Sequence, residues 1–455
     1  MNICETIFRS YDIRGIYPSE IDENTALIIG KSYGSYIQEK YNKNTCIVSG
    51  DIRLSTDALM SNLIKGIIST GCNVINYGIT TTPMNYYIRF IENLPGVMVT
   101  ASHNPKDDNG FKFSFDGMIN ARGEMIEDFK NYTLNGKFLE GNGKVDTKSI
   151  TSKYIEHLKY SINFGKNKRK IVIDPGNGVA SLFVKEIFDN TFCDAIYIND
   201  KPDGNFPNHH PDPAVLENMV QLQKAVLDNK ADFGVAYDGD ADRIGVVTDK
   251  GEVLPIEYFM ILAIKDMFGS VKNKTFLYDV KCSKSIEDVI TSLGGTPYLS
   301  RTGASFTQLA VHENNLPFGG EFSGHIYFND RDKDCGSAIY ATLRLLEIMS
   351  KTRESLSSLV EQYPKYFATE EIRIHCDDLK KGLVVKKVYE YAKSMNYPIN
   401  DIDGVRITYT NGWALVRQSN TGPNLIFRGE ATSELGKKCL EDIYIPLINK
   451  IISEL

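Results

Sequence analysis

The sequence predicts an α/β protein of three similar mixed-sheet domains followed by a smaller α+β domain. Apolar runs of strand length alternate with helical stretches through residues 1–365, as in layered and mostly parallel sheets. Polar loops containing Gly, Pro, Ser or Asp follow strands in each third of this region. After residue 365 short strands are interspersed with two long helical stretches, which is typical of an antiparallel α+β domain.

Two polar junctions and this change of character divide the chain into four predicted domains. Their ranges are 1–147, 148–251, 252–365 and 366–455. The first junction is the polar stretch 142–149, and the second lies near residues 249–252. The first three segments alternate strands and helices of similar length, which suggests a divergent threefold repeat, although no residue-level period is visible.

Apolar periodicity predicts the individual elements. A helical rhythm is expected at 23–41, 54–69, 256–268, 340–350, 357–363, 379–394 and 433–455. Short apolar or alternating runs predict strands at 72–77, 97–99, 244–248, 275–280, 296–301, 370–374, 404–409 and 413–416. The stretch 45–53 is predicted to be a strand that runs into a loop, a short alternating strand contains Lys112, and a further strand begins at residue 169.

Composition excludes several classes of protein. The chain has 455 residues, too many for one core, and 42% of them are hydrophobic. Its net charge of −7 argues against nucleic acid or a membrane surface as partner, although local cations can still hold a phosphate. Eight scattered cysteines form no Cys-x-x-Cys pair, so a reduced cytoplasmic setting is the simple interpretation. Neither a signal peptide nor the ~20 apolar residues of a membrane span are found.

The stretch Val-Met-Val-Thr-Ala-Ser-His-Asn-Pro at 97–105 is a short buried strand that breaks into a polar loop. Ligands of α/β sheets bind at such strand ends, so Ser102 is a candidate nucleophile. Its neighbour His103 does not form a dyad with it, because adjacent side chains usually point apart, and no Gly-x-Ser-x-Gly elbow is present. A phosphoryl group next to a metal suits Ser102 better than acyl chemistry. A plain polar loop is the alternative.

Three carboxylates alternate at Asp238, Asp240 and Asp242, between two apolar runs. Carboxylates this close repel one another unless a cation lies among them, and hard oxygen ligands favour Mg²⁺, Mn²⁺ or Ca²⁺. An EF-hand needs Gly at the sixth loop position and Glu at the twelfth, where this chain has Arg243 and Asp249. A solvated acidic turn remains the alternative.

Two further polar stretches are candidates for binding a phosphosugar. Glu321, Ser323 and His325 would share one face if the chain were extended there, and that face suits sugar hydroxyls. The Gly/Pro-bounded turn 417–423 offers hydroxyl, amide and guanidinium donors for a phosphate, beginning with Arg417. A polar edge strand and a plain hairpin turn are the respective alternatives. Lys112, in a short strand after Ser102, is either an exposed lysine or a group that serves the serine.

Four of these motifs occur in an order that resembles the α-D-phosphohexomutase superfamily, most closely its phosphomannomutase/phosphoglucomutase branch. They are Thr-Ala-Ser-His-Asn-Pro at 100–105, Asp-Gly-Asp-Ala-Asp-Arg at 238–243, Gly-Gly-Glu-Phe-Ser-Gly-His at 319–325 and Arg-Gln-Ser-Asn-Thr at 417–421. Phe-Arg-Ser-Tyr-Asp-Ile-Arg-Gly at 8–15, the stretch 204–213 and Asp-Val-Lys-Cys at 279–282 strengthen the likeness. It extends from about residue 8 to the C-terminus.

The resemblance implies four domains around a central cleft and a mutase that moves phosphate between the 1- and 6-positions of mannose or glucose. It implies a phosphoserine at Ser102, one Mg²⁺, a hexose 1,6-bisphosphate intermediate and a final domain that closes the cleft. The protein is expected to be a monomer or weak homodimer. The implied metal ligands are Ser102, Asp238, Asp240 and Asp242, and the implied catalytic residues are Ser102, Lys112, Arg243 and His325. The implied substrate-binding residues are Tyr11, Arg14, Lys281, Thr302, Gly303, Glu321, Ser323, His325, Arg417, Ser419, Asn420 and Thr421.

Departures from the family pattern concern sugar recognition rather than the serine and acidic loops. Ala304 stands where the branch usually has His, and Gly-Ser-Ala at 336–338 stands where it usually has Asp-Asp-Gly. Mannose and glucose are therefore not distinguished, and a phosphoglucosamine mutase or a non-catalytic phosphosugar-binding relative remains an alternative. A metal-dependent phosphatase with Asp238 as its nucleophile is a further rival.

Overall fold

A computed structural model describes residues 3–331, 336–419 and 422–455, and its described strands form four separate sheets. The first three sheets mix parallel and antiparallel neighbours, and the fourth is antiparallel. The predicted fold class is therefore confirmed. No helix in the described ranges combines the length and apolarity needed to cross a membrane.

The first sheet and its helices carry the serine loop. Their elements are Ile13–Ile16 (β1), Glu23–Tyr41 (α1), Thr45–Gly50 (β2), Thr56–Ile68 (α2), Asn73–Ile79 (β3), Thr82–Glu92 (α3), Gly96–Val99 (β4), Asp108–Ser114 (β5), Glu124–Asn135 (α4) and Val145–Thr147 (β6), after a 3₁₀ turn at Glu5–Ile7. The strand order is β1-β5-β4-β2-β3-β6, with β4, β2, β3 and β6 parallel. Helix α1 has the predicted bounds because Asp22 caps it, accepting from Thr25 N at 2.7 Å.

The second sheet carries the acidic loop. Its region contains Thr151–Tyr160 (α5), Arg169–Asp174 (β7), Val184–Phe188 (α6), Cys193–Tyr197 (β8), Val220–Asn229 (α7), Phe233–Tyr237 (β9), Ile244–Thr248 (β10) and Val253–Leu254 (β11), with 3₁₀ turns at Val179–Leu182 and Leu216–Met219. The strand order is β11-β10-β9-β7-β8. Strand β11 lies beyond the expected boundary at 251 and pairs with β10, so this sheet extends to residue 254.

The third and fourth sheets complete the chain. The third region contains Ile256–Phe268 (α8), Thr275–Asp279 (β12), Lys284–Ser292 (α9), Thr296–Ser300 (β13), Ala304–Glu313 (α10), Phe318–Gly320 (β14), Ile326–Phe328 (β15), Ala338–Ser350 (α11) and Leu356–Glu361 (α12). The fourth contains Phe367–Ala368 (β16), Ile372–His375 (β17), Asp378–Ser394 (α13), Ile399–Asn400 (β18), Val405–Tyr409 (β19), Gly412–Gln418 (β20), Asn424–Ala431 (β21) and Glu434–Ser453 (α14). The orders are β13-β12-β14-β15 and β16-β21-β20-β19-β18, and β17 also pairs with β21.

The hydrophobic cores divide differently from the sheets. One cluster runs continuously from Ile171 under the second sheet to Phe276 under the third. The first sheet has a core of its own, and so does the fourth. A small cluster of Val280, Trp413 and Leu415 joins the third and fourth domains. The last domain is thus attached by a limited apolar contact and by polar contacts described below.

The four motif loops occupy equivalent places in the four sheets. Each connects two neighbouring antiparallel strands: β4 to β5, β9 to β10, β14 to β15 and β20 to β21. Backbone bonds join the second loop to the first and third domains, because Thr82 N donates to Asp240 O at 3.0 Å and Ile244 N to Gly324 O at 3.1 Å. The second-domain hairpin therefore contacts both neighbours, at the start of α3 in the first domain and at the β14–β15 hairpin of the third.

Candidate active site

Ser102 lies in the loop after β4, and its side chain faces the acidic loop of the second domain. It is 1% exposed, and its Oγ donates to Asp238 Oδ2 at 2.7 Å. Its φ of 53° lies in the left-handed region, which is uncommon for a residue with a side chain and is concentrated at functional sites. The structure thus brings together the predicted serine and acidic loops, 136 residues apart in sequence.

Two buried arginines hold the serine loop. Arg53 donates to Ser102 O at 2.8 Å and Asn104 O at 2.7 Å. Arg14 donates to Ala101 O at 3.2 Å and Asn104 Oδ1 at 2.7 Å. Arg14 is one of the predicted residues, whereas Arg53 was missed, because no motif around it signals that its guanidinium reaches a loop 49 residues away.

Asp238, Asp240 and Asp242 form a compact buried cluster at the β9–β10 turn. One oxygen of each lies within 4.8 Å of the others. Asp238 Oδ1 accepts from the backbone N–H of Asp242 at 3.0 Å and of Arg243 at 3.1 Å. Asp240 Oδ1 is buried and has no hydrogen-bond partner among the described residues. Burial, with Asp240 and Asp242 nearby, raises the pKa of Asp238 well above its usual range. A buried nest of crowded carboxylates with an unused oxygen fits a hard divalent cation.

Lys112 bridges two of these carboxylates. Its Nζ lies 2.6 Å from Asp240 Oδ2 and 2.8 Å from Asp242 Oδ2. Burial favours the neutral amine, but the two carboxylates outweigh it and hold the pKa of Lys112 well above its usual range. Lys112 is therefore a charged donor at the centre of the site rather than an exposed strand lysine.

The segment containing Glu321, Ser323 and His325 is a hairpin turn and not the extended strand that alternation suggested. Gly324 has a φ of 89°, and a Cβ there would lie 2.5 Å from Ile244 O, so glycine lets this turn pack against the second domain. The three side chains still meet. Ser323 Oγ lies 3.1 Å from Glu321 Oε2 and 2.8 Å from His325 Nδ1.

His325 links the third-domain hairpin to the acidic loop. Its Nε2 lies 3.2 Å from Asp242 Oδ1, and Arg243 pairs with it in an isolated antiparallel bridge. Burial alone would lower the pKa of His325, but Asp242 and hydrogen bonds to carboxylates raise it to about 9. Burial likewise opposes ionisation of Asp242, yet Lys112 and His325 hold its pKa well below the usual range. The imidazole and ammonium are both protonated at neutral pH.

The predicted phosphate turn is only partly described. Arg417 lies on β20 rather than in the turn, and its Nε donates to Asp403 Oδ2 at 2.9 Å. Arg417 Nη2 is buried and has no hydrogen-bond partner in the part of the chain that the structure describes. Ser419 follows β20, and Lys381 Nζ donates to its carbonyl at 3.0 Å. Asn420 and Thr421 lie outside the described residues.

Polar contacts near this turn join the third and fourth domains. Thr302 N donates to Asp403 Oδ2 at 3.0 Å. Lys281 Nζ donates to Glu371 Oε2 at 2.8 Å. Gly303 N donates to Glu321 Oε1 at 3.2 Å, in the β14–β15 hairpin of the third domain. Lys281, Thr302 and Gly303 thus lie between the hairpin and the last domain, and the acidic partners Glu371 and Asp403 were not foreseen.

Two adjoining cavities open at the meeting point of the domains. The smaller, about 20 Å³, is lined by Tyr11, Arg14, Tyr86, Ser102, Lys112, Phe113, Asn120, Arg243, Ala304, Ser305 and His325. The larger, about 950 Å³, is lined by neighbours in the same segments, among them Ser10, Arg122 and Phe306, and by Ser419 of the last domain. The small cavity accommodates one functional group beside Ser102, and the large one has room for a sugar phosphate.

The two family departures have structural consequences. Ala304 begins α10 and contributes a methyl group to the small cavity. Ser337 caps α11, since its side chain accepts from Tyr340 N at 3.2 Å, and Ala338 N donates to Ala241 O at 3.1 Å in the acidic loop. The 336–338 segment therefore contacts the acidic loop and supports it. The small side chain of Ala304 leaves more space in the small cavity than a histidine would.

Comparison with known proteins agrees with this geometry. Family models match four consecutive segments: "Phosphoglucomutase/phosphomannomutase, alpha/beta/alpha domain I" at 5–139, domain II at 152–251, domain III at 256–366 and the "C-terminal domain" at 371–444. A Phosphomannomutase/phosphoglucomutase of Pseudomonas syringae is 35% identical over 452 residues, covering 99% of this chain and 97% of the relative. A Phosphomannomutase of Methanocaldococcus jannaschii is 33% identical and covers 94% of each.

The solved structures include a close match in three dimensions. A crystal structure of a Phosphoglucomutase/phosphomannomutase family protein from Burkholderia thailandensis superposes with a TM-score of 0.91 at 30% identity. The superposition covers 99% of this chain and 98% of the Burkholderia protein. Together with the contacts among the serine loop, the acidic loop and the third-domain hairpin, these matches show that the chain belongs to the phosphoglucomutase/phosphomannomutase family.

Proposed function

We propose that this protein is a phosphohexomutase that interconverts hexose 1-phosphates and hexose 6-phosphates, with mannose and glucose as its sugars. The observation that carries the proposal is the 2.7 Å contact between Ser102 Oγ and Asp238 Oδ2, at the edge of a buried three-carboxylate nest. Phosphoryl transfer demands positioning and charge neutralisation, which such a site supplies. The names of full-length relatives support mannose and glucose as substrates.

Asp238, Asp240 and Asp242 are the proposed ligands of one Mg²⁺, with an oxygen at Ser102 as a further ligand. The unpartnered Asp240 Oδ1 supports this assignment. Bound there, the ion would neutralise charge on the transferring phosphoryl group. Lys112 Nζ donates to Oδ2 of Asp240, the oxygen opposite the unpartnered Oδ1, and to Oδ2 of Asp242. It therefore fixes both carboxylates from one side.

The proposed reaction consists of two transfers. Phospho-Ser102 gives its phosphoryl group to the free hydroxyl of a bound hexose monophosphate: the P–O bond to Ser102 breaks as one to the sugar forms. The resulting hexose 1,6-bisphosphate turns around and returns its other phosphoryl group to Ser102. Lys112 and His325 are the candidate proton carriers, and both start protonated because carboxylates raise their pKa values. One of them donates its proton to the departing Ser102 Oγ and recovers a proton from the sugar hydroxyl, so the protons balance in each transfer. Arg243, beside the acidic loop, assists the reacting phosphate.

The remaining predicted residues divide by position. Tyr11 and Arg14 line the small cavity and face the reacting end of the substrate. The hairpin side chains offer carboxylate, hydroxyl and imidazole groups to sugar hydroxyls. The proposed ligands of the second phosphate are Arg417, Ser419, Asn420 and Thr421. Lys281, Thr302 and Gly303 are proposed to contact the substrate where the third and last domains meet.

The last domain is proposed to swing over the cleft and exclude water from the phosphoserine. Its separate core and its small apolar contact with the third domain support this motion. We further propose a monomer or weak homodimer in the cytoplasm, with a phosphosugar and neither nucleic acid nor membrane as its partner. The free state of the described cysteines and the net charge of −7 support that setting.

Intact mass spectrometry after incubation with glucose 1,6-bisphosphate and Mg²⁺ tests the proposal. The wild type should gain the mass of one phosphoryl group at Ser102, and Ser102→Ala should gain none and lose turnover. A coupled assay with mannose, glucose, glucosamine and N-acetylglucosamine 1-phosphates then identifies the sugar. Preference for glucosamine 1-phosphate would indicate a phosphoglucosamine mutase. No phosphate and no turnover would indicate a phosphosugar binder, and released phosphate without phosphoserine a phosphatase acting through Asp238.

A further inference from the structure

Asn120 brings a neutral amide to the wall of the reaction chamber. It lies in the connection between β5 and α4, is 5% exposed and lines the small cavity together with Ser102 and Lys112. Nothing in the sequence motifs singles it out. Its position beside the nucleophile raises the question of which group it presents to a bound substrate.

One neighbour orients the Asn120 side chain, and a second holds its backbone. Arg89 Nη2 donates to the Asn120 side chain at 2.6 Å, and since a guanidinium can only donate, the receiving atom is Oδ1. The backbone N–H of Asn120 donates to Gln308 Oε1 of the third domain at 3.2 Å. Arg89 therefore orients the side-chain amide, with Nδ2 facing away from it, and Gln308 holds the backbone of Asn120.

The Nδ2 group of Asn120 is available to a ligand. Within the described part of the chain it donates to no acceptor, and it is not among the buried side-chain atoms that lack a partner. Asn120 is 5% exposed and lines the small cavity, so this cavity offers a route to the Nδ2 donor. A ligand group in the small cavity can therefore accept from the amide.

The chemistry of the other cavity donors indicates what Asn120 binds. Arg14, Lys112 and Arg243 are charged and suit phosphoryl oxygens. A neutral amide suits a neutral oxygen acceptor such as a sugar hydroxyl. Ala304 and Ser305, which line the same cavity, have small side chains and leave space for a sugar ring carbon and its hydroxyl.

We propose that Asn120 is a substrate-binding residue whose Nδ2 donates to one hydroxyl of the hexose, close to the reacting phosphoryl group, and so helps determine which sugar is accepted. This inference rests on the proposed function, because it names a further contact in the same chamber. Arg89 and Gln308 act as positioning residues for the amide.

Two variants separate this contact from general damage. Asn120→Asp keeps the size and the acceptor for Arg89 but removes the Nδ2 donor, and Asn120→Ala removes the whole amide. Asn85→Ala is the matched control, because Asn85 is a buried asparagine of the same domain whose amide donates to Ser49 Oγ and Val97 O. Calorimetry measures the Kd of each protein for glucose 6-phosphate and its 2-, 3- and 4-deoxy analogues, and a coupled assay measures turnover.

Both Asn120 variants should bind glucose 6-phosphate about 3- to 10-fold more weakly than wild type, as expected for one lost neutral hydrogen bond. For a single deoxy analogue the penalty should disappear, because the hydroxyl that Asn120 binds is missing. Equal weakening for every ligand, or no weakening for any, would overturn the proposal, as would a penalty of the same pattern in Asn85→Ala. If the wild type binds these ligands but does not turn them over, that result would count against the proposed mutase function. The comparison of Kd values would still test the Asn120 contact.

Discussion

Arg53 holds the serine loop by its backbone, and replacing it tests how far the reaction chamber depends on one buried cation. Its guanidinium donates to four carbonyl oxygens of that loop. They belong to Ser102 at 2.8 Å, Asn104 at 2.7 Å, Pro105 at 2.5 Å and Asp108 at 3.0 Å. We predict that Arg53→Ala loosens this loop and lowers the stability of the first domain.

The magnitude follows from the contacts. Hydrogen bonds to a charged donor contribute about 1.5–3 kcal/mol each, but bonds from one group are not additive. Arg53 Nε also lies 3.3 Å from Asp51 Oδ2, and breaking a buried ion pair costs about 3–5 kcal/mol. We expect Arg53→Ala to lower the unfolding free energy of the first domain by about 3–5 kcal/mol. Arg53→Lys should lose nearly as much, because one ammonium cannot reproduce the planar fork.

Hydrogen exchange followed by mass spectrometry is the suitable assay, because a four-domain chain does not unfold in a single two-state step. In Arg53→Ala, protection should fall in peptides covering 97–114 and stay unchanged in those covering 275–300. Turnover should fall together with the protection of 97–114. Arg353→Ala, at an exposed position, is the control. A loss below about 1 kcal/mol, or an equal loss of protection in all domains, would refute the reasoning.

Three further outcomes follow from the same geometry. Gly239→Ala places a Cβ 2.5 Å from Ser102 O, so kcat should fall about 100-fold with the fold retained, and normal kcat would show that the loops adjust freely. Arg417→Ala should raise KM about 10- to 100-fold with a smaller change in kcat, and an unchanged KM would remove it from the phosphate site. Both ring nitrogens of His209 face oxygens, one of them on Asp174 at 3.0 Å, and this carboxylate outweighs burial and raises the pKa of His209. Its stabilising contribution is complete below the unfolded pKa of about 6.5 and is lost as pH rises through the higher folded pKa. The hydrogen-exchange protection factors of second-domain peptides should therefore decline between about pH 6 and 8, and His209→Gln should flatten that decline.

Local patterns predicted much of the fold. Helix α8 has the predicted bounds, and so does α1, where a strong apolar rhythm coincides with a cap. The conformation of the third-domain hairpin at 321–325 was predicted wrongly, because polar residues that alternate over five positions occur both in strands and in turns. Gly324 in the left-handed region marks the turn, yet a glycine in sequence does not reveal its φ. Helix α4 was missing from the prediction.

The site could be predicted only where a motif carries its chemistry. Ser102 and the three aspartates are recognisable from their own neighbours in sequence. Arg53 and Asn120 act through contacts made 30 to 50 residues away or across domains, and such contacts leave no local signal. The same holds for Glu371, whose partner Lys281 lies 90 residues away in another domain.

The ammonium group among the aspartates has a consequence for handling the protein. Lys112 supplies a positive charge to Asp240 and Asp242 from within the chain itself. Their mutual repulsion is therefore offset before any ion arrives from solution. A chelator such as EDTA should accordingly stop catalysis and leave the melting temperature nearly unchanged, so the protein can be stored stripped of divalent ions and reactivated when they are added.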